Sequence, residues 1–212
     1  MDQKPTRTRI IDAARDLMRT AGLARTTTKQ IARAAGCSEA ALYKHFASKE
    51  ELFVTVLGER LPGLGRLLGA LAVDPGERTV EENLTEIARH AALFYEESFP
   101  IAASLYAEPR LKARHEQVMR EIGAGPHLPI EGLDAYLRAE RDHGRLRDDA
   151  DTRAAASLLL GACAHRAFAY DAAPDLRPPV DAFAAGLART LMGGLSRPAP
   201  PASRRSPTTA SP

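Results

Sequence analysis

Three helix starts crowd into about twenty residues between Thr27 and Ser48. Thr27 with Gln30, and Ser48 with Glu51, each fit a capping box. In that motif a hydroxyl takes the N–H three residues on, and that residue's side chain reaches back. Ser38 lies between them as a third N-cap residue, without the acidic partner. Starts this close permit only very short helices joined by turns of ~3–4 residues. The spacing predicts one helix near 28–35, with Ile31, Ala32 and Ala35 turned inward and Gly36 ending it. It predicts a second near 39–45, with Leu42 and Phe46 on one face. The opposite face shows Glu39, Ala40, Ala41, Tyr43 and Lys44. Small residues at 40 and 41 let a backbone approach a surface closely. Tyr43, Lys44, His45 and Lys49 add donors suited to phosphate oxygens. A solvated face of a small bundle would account for the charges, but not for the small residues among them.

These positions form a wider pattern: Gly22, Thr26-Thr27, Ile31-Ala32, Ala35-Gly36, Ser38, Leu42-Tyr43, His45-Phe46, Ser48-Lys49-Glu50 and Leu52. Over about residues 8–55 it resembles the N-terminal domain of TetR-type transcriptional regulators. Two positions depart mildly, Cys37 where an aliphatic residue is usual and Ala40 where glycine is common. Both are small and keep the packing. The resemblance implies an all-α fold, with an N-terminal three-helix helix-turn-helix DNA-binding domain followed by a C-terminal helical ligand-binding and dimerisation domain. On this sequence the boundaries fall at 1–48 and 49–195, with a tail at 196–212. The tail is rich in Pro, Ser and Ala and reads as disordered.

Composition agrees with helices. Aromatics are few, Trp is absent, Ala and Leu dominate, and no run of alternating β-branched residues suggests a sheet. The net charge of +2 is unevenly placed, with 11 Lys/Arg against 7 Asp/Glu in residues 1–60 and 18 against 20 in the rest. A basic first segment on a near-neutral body suits DNA binding by one end. Cys37 and Cys163 read as small buried hydrophobes in a reduced compartment. The polar start shows no signal peptide, and the longest apolar stretch, 154–164, is too short to span a bilayer. A soluble cytoplasmic protein is expected, with no membrane partner.

Periodicity places a helix from Thr6 to about Thr20 closed by Gly22, and another from Lys49 toward Leu61 interrupted at Pro62-Gly63. Thr79 and Glu82 open a helix that Phe99-Pro100 is expected to break, leaving a separate short helix over 101–107. Further helices follow from Glu108-Pro109, near 133–144, over about 151–170 and over about 180–192. The 151–170 helix carries Ala154, Ala155, Gly161, Ala162 and Ala164, small enough for close packing. The last one sets Phe183, Leu187 and Leu191 at i, i+4. They occupy the place where the family pairs two helices from each subunit, so the resemblance implies a homodimer through about 151–170 and 180–192.

The expected partners are double-stranded operator DNA and an unknown small-molecule effector, with no cofactor. Phosphate positioning falls to Thr27, Tyr43, His45 and Lys49, with Thr28 and Lys29 at the groove edge. Base reading falls to Glu39, Ala40, Ala41 and Lys44, on the helix that Ser38 caps. Lys suits guanine acceptors, Glu the cytosine amino group, and Ala a thymine methyl. A dimer expects a palindromic operator with half-sites about 34–36 Å apart. Repression is the family's common mode, with release by a small apolar effector. Candidate effector contacts are Phe94, Phe99, Tyr106, Met119, Tyr136, His165 and Phe168. No Gly-rich phosphate loop, nucleophile elbow or HExxH pair argues for an enzyme, and the histidines show no metal spacing. A general chromatin-type binder would carry more positive charge and no large apolar body.

Overall fold

Among the described residues of the computed structural model, 4–59, 63–121 and 123–195, every regular element is helical. The N-terminal module comprises α1 (Thr6–Arg25), α2 (Thr28–Ala34), α3 (Glu39–Tyr43) and the start of α4 (Lys49–Glu59). α1 runs longer than periodicity predicts. Gly22 sits at φ 78, ψ 160, a glycine-only conformation that interrupts the helix before a last helical turn to Arg25. Ile10, Ile11, Ala14 and Met18 of α1 close over Ile31 and Ala32 of α2, Leu42, Phe46, and Leu52, Phe53 and Val56 of α4. This core is completed from far along the chain by Ile101 and Leu105.

The remainder is α5 (Leu64–Val73), α6 (Val80–Tyr106), α7 (Pro109–Glu121), α8 (Leu128–Asp142), α9 (Thr152–Ala169) and α10 (Val180–Leu195), with a 3-10 turn at Pro174–Leu176. α6 packs on α9 and α10, and α8 lies between α5 and α9. Their core gathers Leu84, Ile87, Ala88 and Ala91 with Leu133, Tyr136, Leu137, Leu159, Leu160 and Cys163. The Cys163 thiol lies against the Ala88 carbonyl at 3.5 Å, and burial pushes its pKa to about 12, as suits a packed hydrophobe. Cys37 is half-buried.

Phe99-Pro100 does not break α6, contrary to the sequence expectation; Pro100 lies inside one 27-residue helix. A proline removes one hydrogen bond and crowds the preceding turn. Here both flanks are held. Leu84 to Ala92 anchor the first half in the C-terminal core, and Ile101 and Leu105 anchor the second in the N-terminal core against α1. The segment 101–107 is therefore the end of α6, and α6 is the strut between the two cores. Leu61, Pro62 and the tail 196–212 lie outside the described residues.

On α9, Ala154 and Gly161 are exposed, as are Leu158 and Phe168 (65% and 63%). On α10, Phe183, Leu187 and Leu191 are half-buried against the C-terminal core. Among the described residues no helix is long and apolar enough to cross a membrane.

Candidate nucleic-acid interface

The turn between α2 and α3 is built almost wholly from local hydrogen bonds. Thr27 Oγ1 accepts from the Gln30 N–H at 3.2 Å, and Gln30 Oε1 accepts from the Thr27 N–H at 2.9 Å, completing the capping box. At the other end the Gly36 N–H donates to Arg33 O and the Cys37 N–H to Ala32 O, the paired bonds of a Schellman motif. Gly36 sits at φ 64, where a side chain would be strained. Ser38 Oγ accepts from the Ala41 N–H at 3.1 Å and starts α3 at once. At α4 the Glu51 N–H donates to Ser48 Oγ at 3.1 Å. The Glu51 carboxylate reaches one residue further back than a capping box requires, to the Ala47 N–H at 2.6 Å.

These bonds hold α3 with Leu42 and Phe46 buried and with Glu39, Ala40, Tyr43, Lys44 and His45 exposed; Ala41 is half-buried. Lys29 is exposed on α2. The Thr28 hydroxyl donates to Glu39 Oε1 at 2.5 Å and lies 3.3 Å from the Tyr43 hydroxyl, joining α2 to both ends of α3. Arg7, at the start of α1, lies over the Phe46 ring at 5.5 Å.

Lys49 takes a different posture from a free phosphate donor. Its Nζ donates inward to Leu23 O at 2.8 Å and Thr26 O at 3.1 Å, closing the end of α1. An ammonium has three donors, so one is left for an external acceptor. Burial, opposed by Glu50 and aided by Arg114, holds its pKa below the usual lysine value. A groove of about 370 Å³ opens beside it, lined among others by Thr27, Thr28, Tyr43, Ser48, Lys49 and Arg114. Sequence reasoning missed Arg114. It belongs to α7, and no local pattern signals that α7 packs on α4.

The seven effector candidates are not gathered into one site. Phe99 and Phe168 meet edge-on at 5.8 Å, with His165 at 6.2 Å from Phe168. His165 and Phe168 are exposed, because they stand on the outer side of α9. Tyr136 is fully buried in the C-terminal core, and Phe94 packs against that core. Tyr106 is 64% exposed at the end of α6, and Met119 is half-buried on α7. A groove of about 850 Å³ beside the start of α6, lined by Arg78, Arg89, Arg145 and Met192 among others, contains none of the seven.

Residues 10–56 match the family model described as bacterial regulatory proteins, tetR family. The chain is similar to the uncharacterised HTH-type transcriptional regulator YvkB of Bacillus subtilis (strain 168). They are 26% identical over 166 residues, 77% of this chain and 84% of the relative. Its fold is that of the transcriptional regulator FadR from Bacillus subtilis in complex with stearoyl-CoA. That likeness has a TM-score of 0.66 at 18% identity and covers 88% of this chain and 98% of FadR. It is likewise that of SmeT, the repressor of the Stenotrophomonas maltophilia multidrug efflux pump SmeDEF. In its complex with triclosan, the TM-score is 0.68 at 22% identity, covering 91% of this chain and 92% of SmeT.

Proposed function

We propose, from the premise that this is a TetR-family chain, that it is a ligand-responsive transcriptional regulator that binds a palindromic operator as a homodimer and represses. The observation that carries the reading is α3 itself. A five-residue helix is started by the Ser38 cap, is held by buried Leu42 and Phe46, and presents Glu39, Ala40 and Lys44 to solvent, with Tyr43 and His45 beside them. The exposed Ala40 between Glu39 and Lys44 leaves room for close approach of another surface, with polar groups on either side of it.

In this reading Thr27, Thr28, Lys29, Tyr43 and His45 position the phosphate backbone, and Lys49 contributes its remaining donor. Glu39, Ala40, Ala41 and Lys44 read bases, with Ser38 holding their helix. The exposed Leu158 and Phe168, the exposed Gly161 and α10 form the surface that a second copy covers. The effector is a small apolar molecule, a class to which the triclosan bound by one similar regulator belongs; the stearoyl-CoA bound by the other shares only an apolar acyl chain, carried on a large anionic group. An effector entering the C-terminal core meets Phe94 and Tyr136. To move the DNA-bound population from 99:1 to 1:99 it must prefer the released state by ~10⁴-fold. The cytoplasm is the compartment where such a protein meets DNA.

The test is selection of operator sequences from random duplex DNA, followed by competition of the selected site against random DNA at fixed salt. A preference of ~10³ or more and a two-fold symmetric consensus are expected. Equal affinity for both DNAs overturns the reading in favour of a general DNA binder.

A further inference from the structure

The groove beside α2 and α4 contains one residue that does not come from the N-terminal module. Arg114 stands on α7, yet lines the same groove as Thr27, Thr28, Tyr43 and Ser48. Its side chain is 65% exposed, and its Nε lies 3.5 Å from a carboxylate oxygen of Glu50, which is itself buried. That contact is long and touches one side of the guanidinium. Lys49, the other cation of the groove, already gives two donors to the Leu23 and Thr26 carbonyls. The groove therefore offers hydroxyls, one partly engaged ammonium and one guanidinium that meets the buried Glu50 carboxylate of the same lining at its Nε and is otherwise exposed. That donor set suits a tetrahedral oxyanion, and a guanidinium fork matches phosphate oxygens in pairs.

We propose that Arg114 is a ligand for an operator backbone phosphate, supplied to the groove by the C-terminal body. The inference rests on the DNA-binding reading above and adds to it a contact from outside the helix-turn-helix. It carries a consequence for regulation. The next residue, His115, is buried against Phe53 of α4 with ring centroids 4.9 Å apart, so the place of Arg114 depends on how α7 sits on α4. A change in the body that shifts α7 removes a phosphate ligand directly, without bending α3.

The experiment measures affinity for the selected operator against salt, from ~50 to ~200 mM, for the full chain and for Arg114→Ala, Arg114→Lys and the double variant Glu50→Gln/Arg114→Ala. The logarithmic salt slope should fall by about 1 for each bound module in both alanine-bearing variants, with base preference unchanged. Arg114→Lys should keep the slope, because a point charge still releases the counterion. The double variant leaves no buried carboxylate unpaired, so it serves even where Arg114→Ala folds poorly. A folded alanine-bearing variant with the wild-type slope overturns the inference while leaving operator binding intact. A wild-type chain that selects no operator refutes the DNA-binding reading itself, and with it the groove's role.

Discussion

The Thr28 hydroxyl donates to Glu39 Oε1 at 2.5 Å, and the Tyr43 hydroxyl lies 3.3 Å from Thr28 Oγ1. In the proposed reading α3 faces DNA, where a carboxylate is repelled by phosphate unless it is held toward a donor. Thr28 supplies that hold from α2 and aims Glu39 across the start of α3. Thr28→Val keeps the shape and removes the hydroxyl. Discrimination at the base pair facing Glu39 should fall by about 1 kcal/mol, roughly fivefold. The thermal midpoint should scarcely move, since the bond is exposed. Sequence selection with the variant checks this, and a consensus identical to that of the wild type would sink the role given to Thr28.

Lys49 joins two tasks in one side chain. Its bonds to Leu23 O and Thr26 O hold the end of α1 against the start of α4. Lys49→Met should therefore lower unfolding free energy by about 1–2 kcal/mol, the range for charge-assisted bonds discounted for partial exposure. It should also weaken all DNA sequences alike. Chemical denaturation beside operator titration separates the two effects. Full stability with weakened binding would mean that the inward bonds contribute nothing and that the lysine acts on DNA alone.

The N-terminal module was readable because its geometry is written locally. Thr27, Gln30, Gly36 and Ser38 each satisfy backbone groups within a few residues, so helix starts and stops follow from side-chain chemistry. Pro100 shows the limit of that reasoning. Its local rule predicts a break, and packing of Ile101 and Leu105 against a core formed mainly by residues 10–56 overrides it. Arg114 was invisible for the same reason, since only tertiary packing brings α7 to the groove. The effector candidates fared differently. Aromatic type alone does not say which side of a helix faces inward, and Phe168 and Tyr106 face out while Tyr136 faces in.

His115 makes the α4–α7 contact sensitive to pH. Burial against Phe53 lowers its pKa below the usual 6.5, and the nearby Glu50 and Glu116 only partly oppose this. The folded chain thus keeps the ring neutral where the unfolded chain would protonate it. The stabilising contribution is complete above about pH 6.5 and is lost as pH falls from there toward the folded pKa, below which it levels off. The slope is at most about 1.4 kcal/mol per pH unit. Thermal unfolding from about pH 7.5 to about pH 5 should show a steeper decline for the wild type than for His115→Gln. Parallel curves would remove His115 as the cause.

Glu96 of α6 holds two guanidiniums at once. Arg166 of α9 lies against one of its carboxylate oxygens, and Arg177, just past the 3-10 turn, meets the other at 2.9 Å. Arg166 is 4% exposed, donates to Pro178 O at 2.6 Å, and lies over the Phe183 ring at 5.2 Å. The cluster thus fixes the strut α6 to the α9–α10 connection and to α10. Removing the carboxylate strands a buried charge, which costs more than the intact pair contributes. Glu96→Ala should therefore destabilise by on the order of 3 kcal/mol. Arg177→Ala should cost less, because Glu96 still neutralises Arg166. With α9 and α10 as the proposed interface, Glu96→Ala should also weaken self-association in sedimentation, with folded protein at matched concentration. Equal stability of the two variants would mean that Arg166 is satisfied by Pro178 and Phe183 alone, and that the strut is tied to the interface by packing rather than by charge.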